Sequence, residues 1–344
     1  MAVPDHISAR LRLAIFRFAA SERSYARAPP RERKAAALAA DGAMQERVID
    51  RPIEEQRWIV AIAAAFVLAW ASGFIVPRVF VPYAEPFTFV AWRNVGAALV
   101  LAAISAWIGA RWPRAPEELA GLLWAGACLQ GFAVMGLYWA VYWGLPVGLA
   151  ALIGGLQPLF TALFAVMLLG EDLNAWQWCG IALGFAGLSF AVLPKVALSE
   201  ASLALLFAAL LGVASMAYGS IYQKRFSQIG DAWSRTTWMF VGASIPSVAA
   251  AYVFEHGQTN WQPALVAVYA WSVLVLAVGA TMGLLLLIEK GQASRAASLL
   301  YLVPPTSALM AYVAFGESIG LVELLGFAVS AGGVVLVQTQ QGKH

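Results

Sequence analysis

The sequence predicts an all-α polytopic membrane protein, with ten transmembrane helices in two inverted five-helix repeats. Three observations predict it. The 344 residues are 61% hydrophobic and only 12% charged, about half the charged share of a soluble domain. From Trp58 onward the chain is a series of apolar blocks near the ~20 residues that a helix needs to cross hydrocarbon, separated by short polar breaks. And the sequence matches itself at an offset of 146 residues, block for block.

Residues 1–57 differ in kind. They hold 11 of the 22 Lys and Arg residues, together with Pro29-Pro30, and read as a flexible basic tail. A short basic amphipathic stretch from Ile7 to Ala20 leaves two readings open: a membrane-surface anchor or transit peptide, or an extension ahead of a start at Met44. The expected spans are 58–80, 86–108, 117–143, 147–169, 175–193, 202–224, 232–254, 264–288, 293–315 and 319–338. The first repeat is expected over 58–194 and the second over 200–338, with 339–344 as a C-terminal tail. Gly144-Leu-Pro-Val147 is so short that the third and fourth spans must form a tight hairpin.

Charge sets the orientation. With the N-terminus inside, inner loops and the C-terminal tail carry Arg111, Arg114, Lys224, Arg225, Arg235, Lys290, Arg295 and Lys343, whereas outer loops carry only Arg78 and Lys195. Both termini are therefore expected in the cytoplasm, in a bacterial inner (plasma) membrane.

The self-match aligns Pro158 through Gly170-Glu171 with Pro304 through Gly316-Glu317, and Gly180 and Gly187 with Gly326 and Gly333. Near the start of each half, Ala71, Gly73, Ile75 and Arg78 fall opposite Ala217, Gly219, Ile221 and Lys224. Five spans per half is an odd number, so the second half enters the membrane inverted. Inverted repeats can exchange conformations and expose a midplane site to each side in turn, which points to transport. Glu171 and Glu317 close helices at opposite faces and are expected to cap or order loops.

Two five-span halves, each with a Pro-to-Gly-Glu stretch followed by a Gly-rich last span, resemble the drug/metabolite transporter superfamily of the EamA type. Ala69-Trp70-Ala71-Ser72-Gly73-Phe74 is similar to that family's first-span pattern, and Pro86 followed by Arg93 to its second-span arginine. The second half carries no Arg in register with Arg93, and the 57-residue leader is longer than such proteins usually have. The resemblance implies export or exchange of small metabolites, often amino acids or related compounds, without fixing the substrate.

Arg93 is the only basic residue well inside a span, about 10 Å or more from its nearer end. A charge at that depth must face protein or a water-filled cavity, as an anion contact or as a tie between helices. In the sixth span, Ser215, Tyr218 and Tyr222 lie within about 60° of one another around the helix. Tyr138 and Tyr142 stand one turn apart in the third span, with Gln130 deeper; Gln157 precedes Pro158, and Tyr301 precedes Pro304-Pro305. Tyrosine and glutamine offer hydrogen bonds, and tyrosine adds a flat apolar face, a combination suited to a small organic solute. Interfacial belts and interhelical bonds would use the same residues. These nine are the expected substrate contacts, the Ser215/Tyr218/Tyr222 stripe foremost. Pro158, Pro304 and Pro305 are the expected hinges, because each removes a backbone donor; static kinks are the competing reading.

Three other functions compete. A membrane enzyme needs a nucleophile–base set or metal ligands in a cavity. The three histidines, His6, His256 and His344, sit in tails or loops, and no acidic pair lies mid-span, so no catalytic residue, metal or cofactor is expected. A receptor or scaffold has no feature in its favour. A nucleotide-sugar or sugar-phosphate antiporter would need several cavity cations, and only Arg93 is deep. The expected partners are a small-molecule substrate and the lipid bilayer, with no nucleic acid; the oligomeric state is left open. Cys128 and Cys179 lie in apolar blocks and are expected to form no disulfide framework.

Overall fold

The computed structural model describes residues 64–170, 172–192, 200–226, 229–283, 302–317 and 320–341. All of the regular structure among them is helical, apart from one isolated bridge between Ala84 and Thr259. In chain order the helices are α1 (64–72), α2 (Val76–Phe80), α3 (Pro86–Trp107), α4 (Pro116–Tyr142), α5 (Val147–Leu169), α6 (Ala175–Val192), α7 (Glu200–Lys224), α8 (Ala232–Phe254), α9 (Pro263–Gly283), α10 (Val303–Phe315) and α11 (Leu321–Gln341). Seven of them, α3 to α9, are long and apolar enough to cross a membrane; α10 and residues 321–337 are shorter apolar helices. The chain is thus an all-α polytopic membrane protein. Its outward surface agrees: Met167, Trp176, Tyr252 and Phe254 are each more than 60% exposed, an arrangement suited to lipid and costly in water.

Local chemistry sets the ends. Prolines stand in the first turns of α3, α4 and α9, where their missing N–H costs nothing. Two expected spans are not continuous helices. The first is broken at residues 73–75, where Gly73, Phe74 and Ile75 donate to the carbonyls of Trp70, Ala71 and Ser72 in tight turns. The fourth pauses at Leu156 and restarts at Gln157, because Pro158 can neither donate a backbone bond nor accommodate the preceding turn.

The 146-residue offset reappears as geometry. Gln157–Leu169 and Val303–Phe315 are both 13 residues long, carry Pro in the first turn, and end on a glycine at φ 67°, Gly170 and Gly316. Only glycine adopts that left-handed stop without strain. The wide π turns at Ala127–Phe132 in α4 and Trp271–Ala280 in α9 fall in the same register. Repeat partners also run antiparallel. Gly180 of α6 meets Gly333 of α11, and Gly187 meets Gly326, so tightly that a Cβ on any of the four would overlap the facing backbone.

The helices α3 and α8 are antiparallel partners as well, tied at both ends. At one face Asp231, ahead of α8, accepts hydrogen bonds from the Arg111 backbone N–H (2.8 Å) and from its Nε and Nη2 (3.1 and 3.0 Å). At the other face Glu85, ahead of α3 and 146 residues before Asp231, accepts from the N–H groups of His256 and Gln258 at 3.1 and 3.0 Å. Each repeat's second-helix N-cap carboxylate thus holds the loop that follows the partner helix. Between them, α4 and α5 form the deepest part of the core, where Leu149, Ile153, Leu156 and Leu159 are fully buried.

Candidate functional site

Arg93 projects from α3 and is 5% exposed. Its Nη1 donates to Asn94 Oδ1 at 2.9 Å and its Nη2 to Gln130 Oε1 at 3.3 Å, while Cζ lies 5.8 Å from the centre of the Phe240 ring. Its Nε has no hydrogen-bond partner, and among the described residues no carboxylate lies within ion-pair distance. A buried guanidinium without a counter-charge is expensive to maintain. Asn94, fully buried, anchors the group by donating from Nδ2 to the carbonyls of Ala243 (3.3 Å) and Gln130 (3.5 Å).

Gln130 stands in the π turn of α4, and such wide turns recur at functional sites. Tyr138 follows on the same helix, buried beside Phe80 (5.9 Å) and Phe89 (6.4 Å). Arg93, Gln130 and Tyr138 together line a cavity of about 100 Å³, whose wall also includes Gly73, Phe74 and Met216. A second cavity of about 390 Å³ is lined by Gln157, Pro158, Pro304, Pro305, Phe327 and Ser330. Trp70, Phe74, Leu137 and Met216 border both.

The expected site residues therefore divide. Arg93, Gln130 and Tyr138 converge on the small cavity, and Gln157 with the three prolines on the large one. Ser215, Tyr218 and Tyr222 border neither cavity. The Ser215 hydroxyl donates to the Cys128 carbonyl at 3.0 Å. Tyr218 meets Phe164 edge-on and stacks with Tyr222, which continues to Phe226 and under Arg225. The stripe faces α4 and α5 as an aromatic ladder, and the α7 residue that reaches both cavities is Met216, about 100° round the helix from Ser215. Tyr142 borders neither cavity; half-buried at the end of α4, it packs edge-on to Trp143. Tyr301 lies outside the described residues, as do Glu171, Lys290, Arg295 and the tail 1–57. Glu317 acts as a cap: its carboxylate accepts from the Val147 N–H at 3.0 Å, holding the start of α5.

Asn94, Phe74 and Met216 were not among the expected contacts: the polarity of Asn94 beside Arg93 is a signal that could have found it, whereas neither polarity nor spacing marks Phe74 or Met216. The carboxylates Glu85 and Asp231 were missed as well, although both stand one residue before a second span and in the 146-residue register, a signal that could have found them. Glu255 completes that end of the fold. Its carboxylate accepts from the N–H groups of Phe87 (2.7 Å) and Thr88 (2.6 Å) and from the Thr88 hydroxyl (2.7 Å), capping α3 from across the helix pair. Burial raises its carboxyl above the ordinary range; the three donors counteract this in part, and nearby Glu85 adds to it.

Comparison with known proteins agrees with the double architecture. The model of the EamA-like transporter family matches twice, over residues 57–193 and 203–339. A WAT1-related chloroplastic protein of Arabidopsis thaliana is 26% identical over 300 residues, covering 83% of this chain and 70% of its own. A probable amino-acid metabolite efflux pump of Salmonella typhimurium is 25% identical over 287 residues, covering 80% and 93%. A solved crystal structure superposes with a TM-score of 0.58 at 18% identity, over 81% of this chain and 95% of that one, a likeness of fold.

Proposed function

We propose, from the premise that this chain belongs to the EamA-like transporter family, that it exports or exchanges amino acids or closely related small carboxylates by alternating access. The family and its relatives are transporters rather than enzymes, so the chain is a membrane transporter of small molecules. The carboxylate assignment rests on one observation: Arg93 is buried at a cavity wall with an unpartnered Nε and no counter-ion among the described residues. A solute carboxylate would supply that missing charge, and a guanidinium offers it two parallel donors. Gln130 and Tyr138 add orienting polar groups, whereas Ser215, Tyr218 and Tyr222 brace α7. A single deep cation argues against phosphate-rich solutes, which need several.

In this reading ten spans form two inverted units, 58–194 and 200–338, with both termini in the cytoplasm of a bacterial inner membrane. Antiparallel pairing of α3 with α8 and of α6 with α11 supports the inversion. Pro158, Pro304 and Pro305, which line the larger cavity, serve as hinges. Solute counterflow in proteoliposomes, with a panel of labelled amino acids and their decarboxylated amines, tests the reading. Uptake of at least one carboxylate, lost in Arg93→Lys, is expected; equal transport of the matching amine would refute the role of Arg93.

A further inference from the structure

The small cavity raises a question of size. About 100 Å³ is room for roughly three waters, enough for a carboxylate and an amine but not for a bulky side chain. The neighbouring cavity of about 390 Å³ falls within the range of sites for small organic molecules. Its character is different. Among the described residues that line it, Gln157 and Ser330 carry the polar side chains, and the others are aliphatic or aromatic. Among the described lining residues the one charged side chain, Arg93, belongs to the smaller cavity.

The boundary between the two is the four residues that line both. Phe74 belongs to the break at residues 73–75, so it sits on a turn rather than within a continuous helix. Its ring rests on Gly154 of α5, where an added Cβ would come within 2.6 Å of the ring edge. Met216, the α7 residue in the same boundary, is unbranched and readily changes shape. Leu137 and Trp70 complete it.

Resting on the function proposed above, we infer that the two cavities form one divided site: the carboxylate head sits at Arg93, and an apolar side chain passes Phe74 and Met216 into the larger chamber. The preferred substrates are then carboxylates with bulky apolar side chains, not small or polar ones. Each methylene buried in that chamber raises affinity by about fourfold, so leucine binds at least tenfold more tightly than alanine.

The test is competition by glycine, alanine, valine, leucine and phenylalanine for counterflow in proteoliposomes, for the wild type and for Ala331→Phe. Ala331 borders the larger chamber and is exposed, so the ring can be accommodated there without disturbing the packed core. Affinity should climb with side-chain size in the wild type. In Ala331→Phe it should fall at least tenfold for leucine and phenylalanine and stay unchanged for alanine. Ala328→Phe, which fills the same chamber from the same helix, repeats the test if the first variant is recovered in poor yield. Equal affinity for all five, or equal loss of alanine and leucine in both variants, overturns the divided site and leaves the transporter assignment standing. Absence of any carboxylate competition overturns the divided site together with the carboxylate reading it rests on.

Discussion

Replacing Arg93 by methionine should make the protein more stable and transport-inactive at once. The side chain is 5% exposed, and its charge has no counter-ion among the described residues. Removing the charge relieves several kcal/mol of desolvation and about 1–3 kcal/mol for the unpartnered Nε. Against this, Asn94 and Gln130 each lose a donor, at about 1 kcal/mol apiece, and the contact with Phe240 is worth about 1 kcal/mol more. Methionine keeps much of the apolar stem. The balance favours the variant by about 1–3 kcal/mol, the size seen when buried ionic groups are replaced by apolar ones. The assay is thermal unfolding of purified protein without solute, run beside counterflow. A midpoint several degrees higher with transport abolished is expected. Saturating substrate should then stabilise the wild type, by about 2.7 kcal/mol at a hundredfold excess over Kd, and leave the variant unmoved. A lower midpoint for the variant in the absence of solute would refute the reasoning, since the guanidinium would then be a structural tie.

Three further outcomes follow from the clasps and the topology. Asp231→Ala removes the buried acceptor of three hydrogen bonds from Arg111, and should lower stability by about 2 kcal/mol, read as a fall in the unfolding midpoint. Glu255 has a folded-state pKa above its ordinary value, so the folded protein binds the extra proton first and this group's contribution to stability rises as pH falls toward the ordinary carboxylate range. The midpoint of wild type relative to Glu255→Gln should therefore rise between about pH 7 and about pH 5; a fall would reverse the sign of the argument. In a background lacking Cys128 and Cys179, single cysteines at Arg114 and Gln258, both exposed, should label from opposite sides of the membrane, Gln258 from outside. Labelling of both from one side would sink the topology.

Much of the architecture was decided locally. A chain with too few charges to face water must bury its backbone bonds within helices, so composition and block length alone led to an all-helical membrane protein. Pro158 and Pro304 stand in the first turns of their helices, and Gly170 and Gly316 end them, for reasons of backbone geometry that hold in any surroundings. The depth of Arg93 was equally plain from its place within an apolar block. What needed the tertiary structure was the rotation of each helix about its own axis. These helices are apolar on every side, so no stripe in the sequence marks an inner face. Rotation is set instead by close crossings such as Gly180 on Gly333 and by the clasps at both ends of α3 and α8. That is why the Ser215/Tyr218/Tyr222 stripe, conspicuous in sequence, turned toward α4 and α5 while Met216 turned toward both cavities. Asn94 and Phe74 likewise acquire their meaning only from what packs against them.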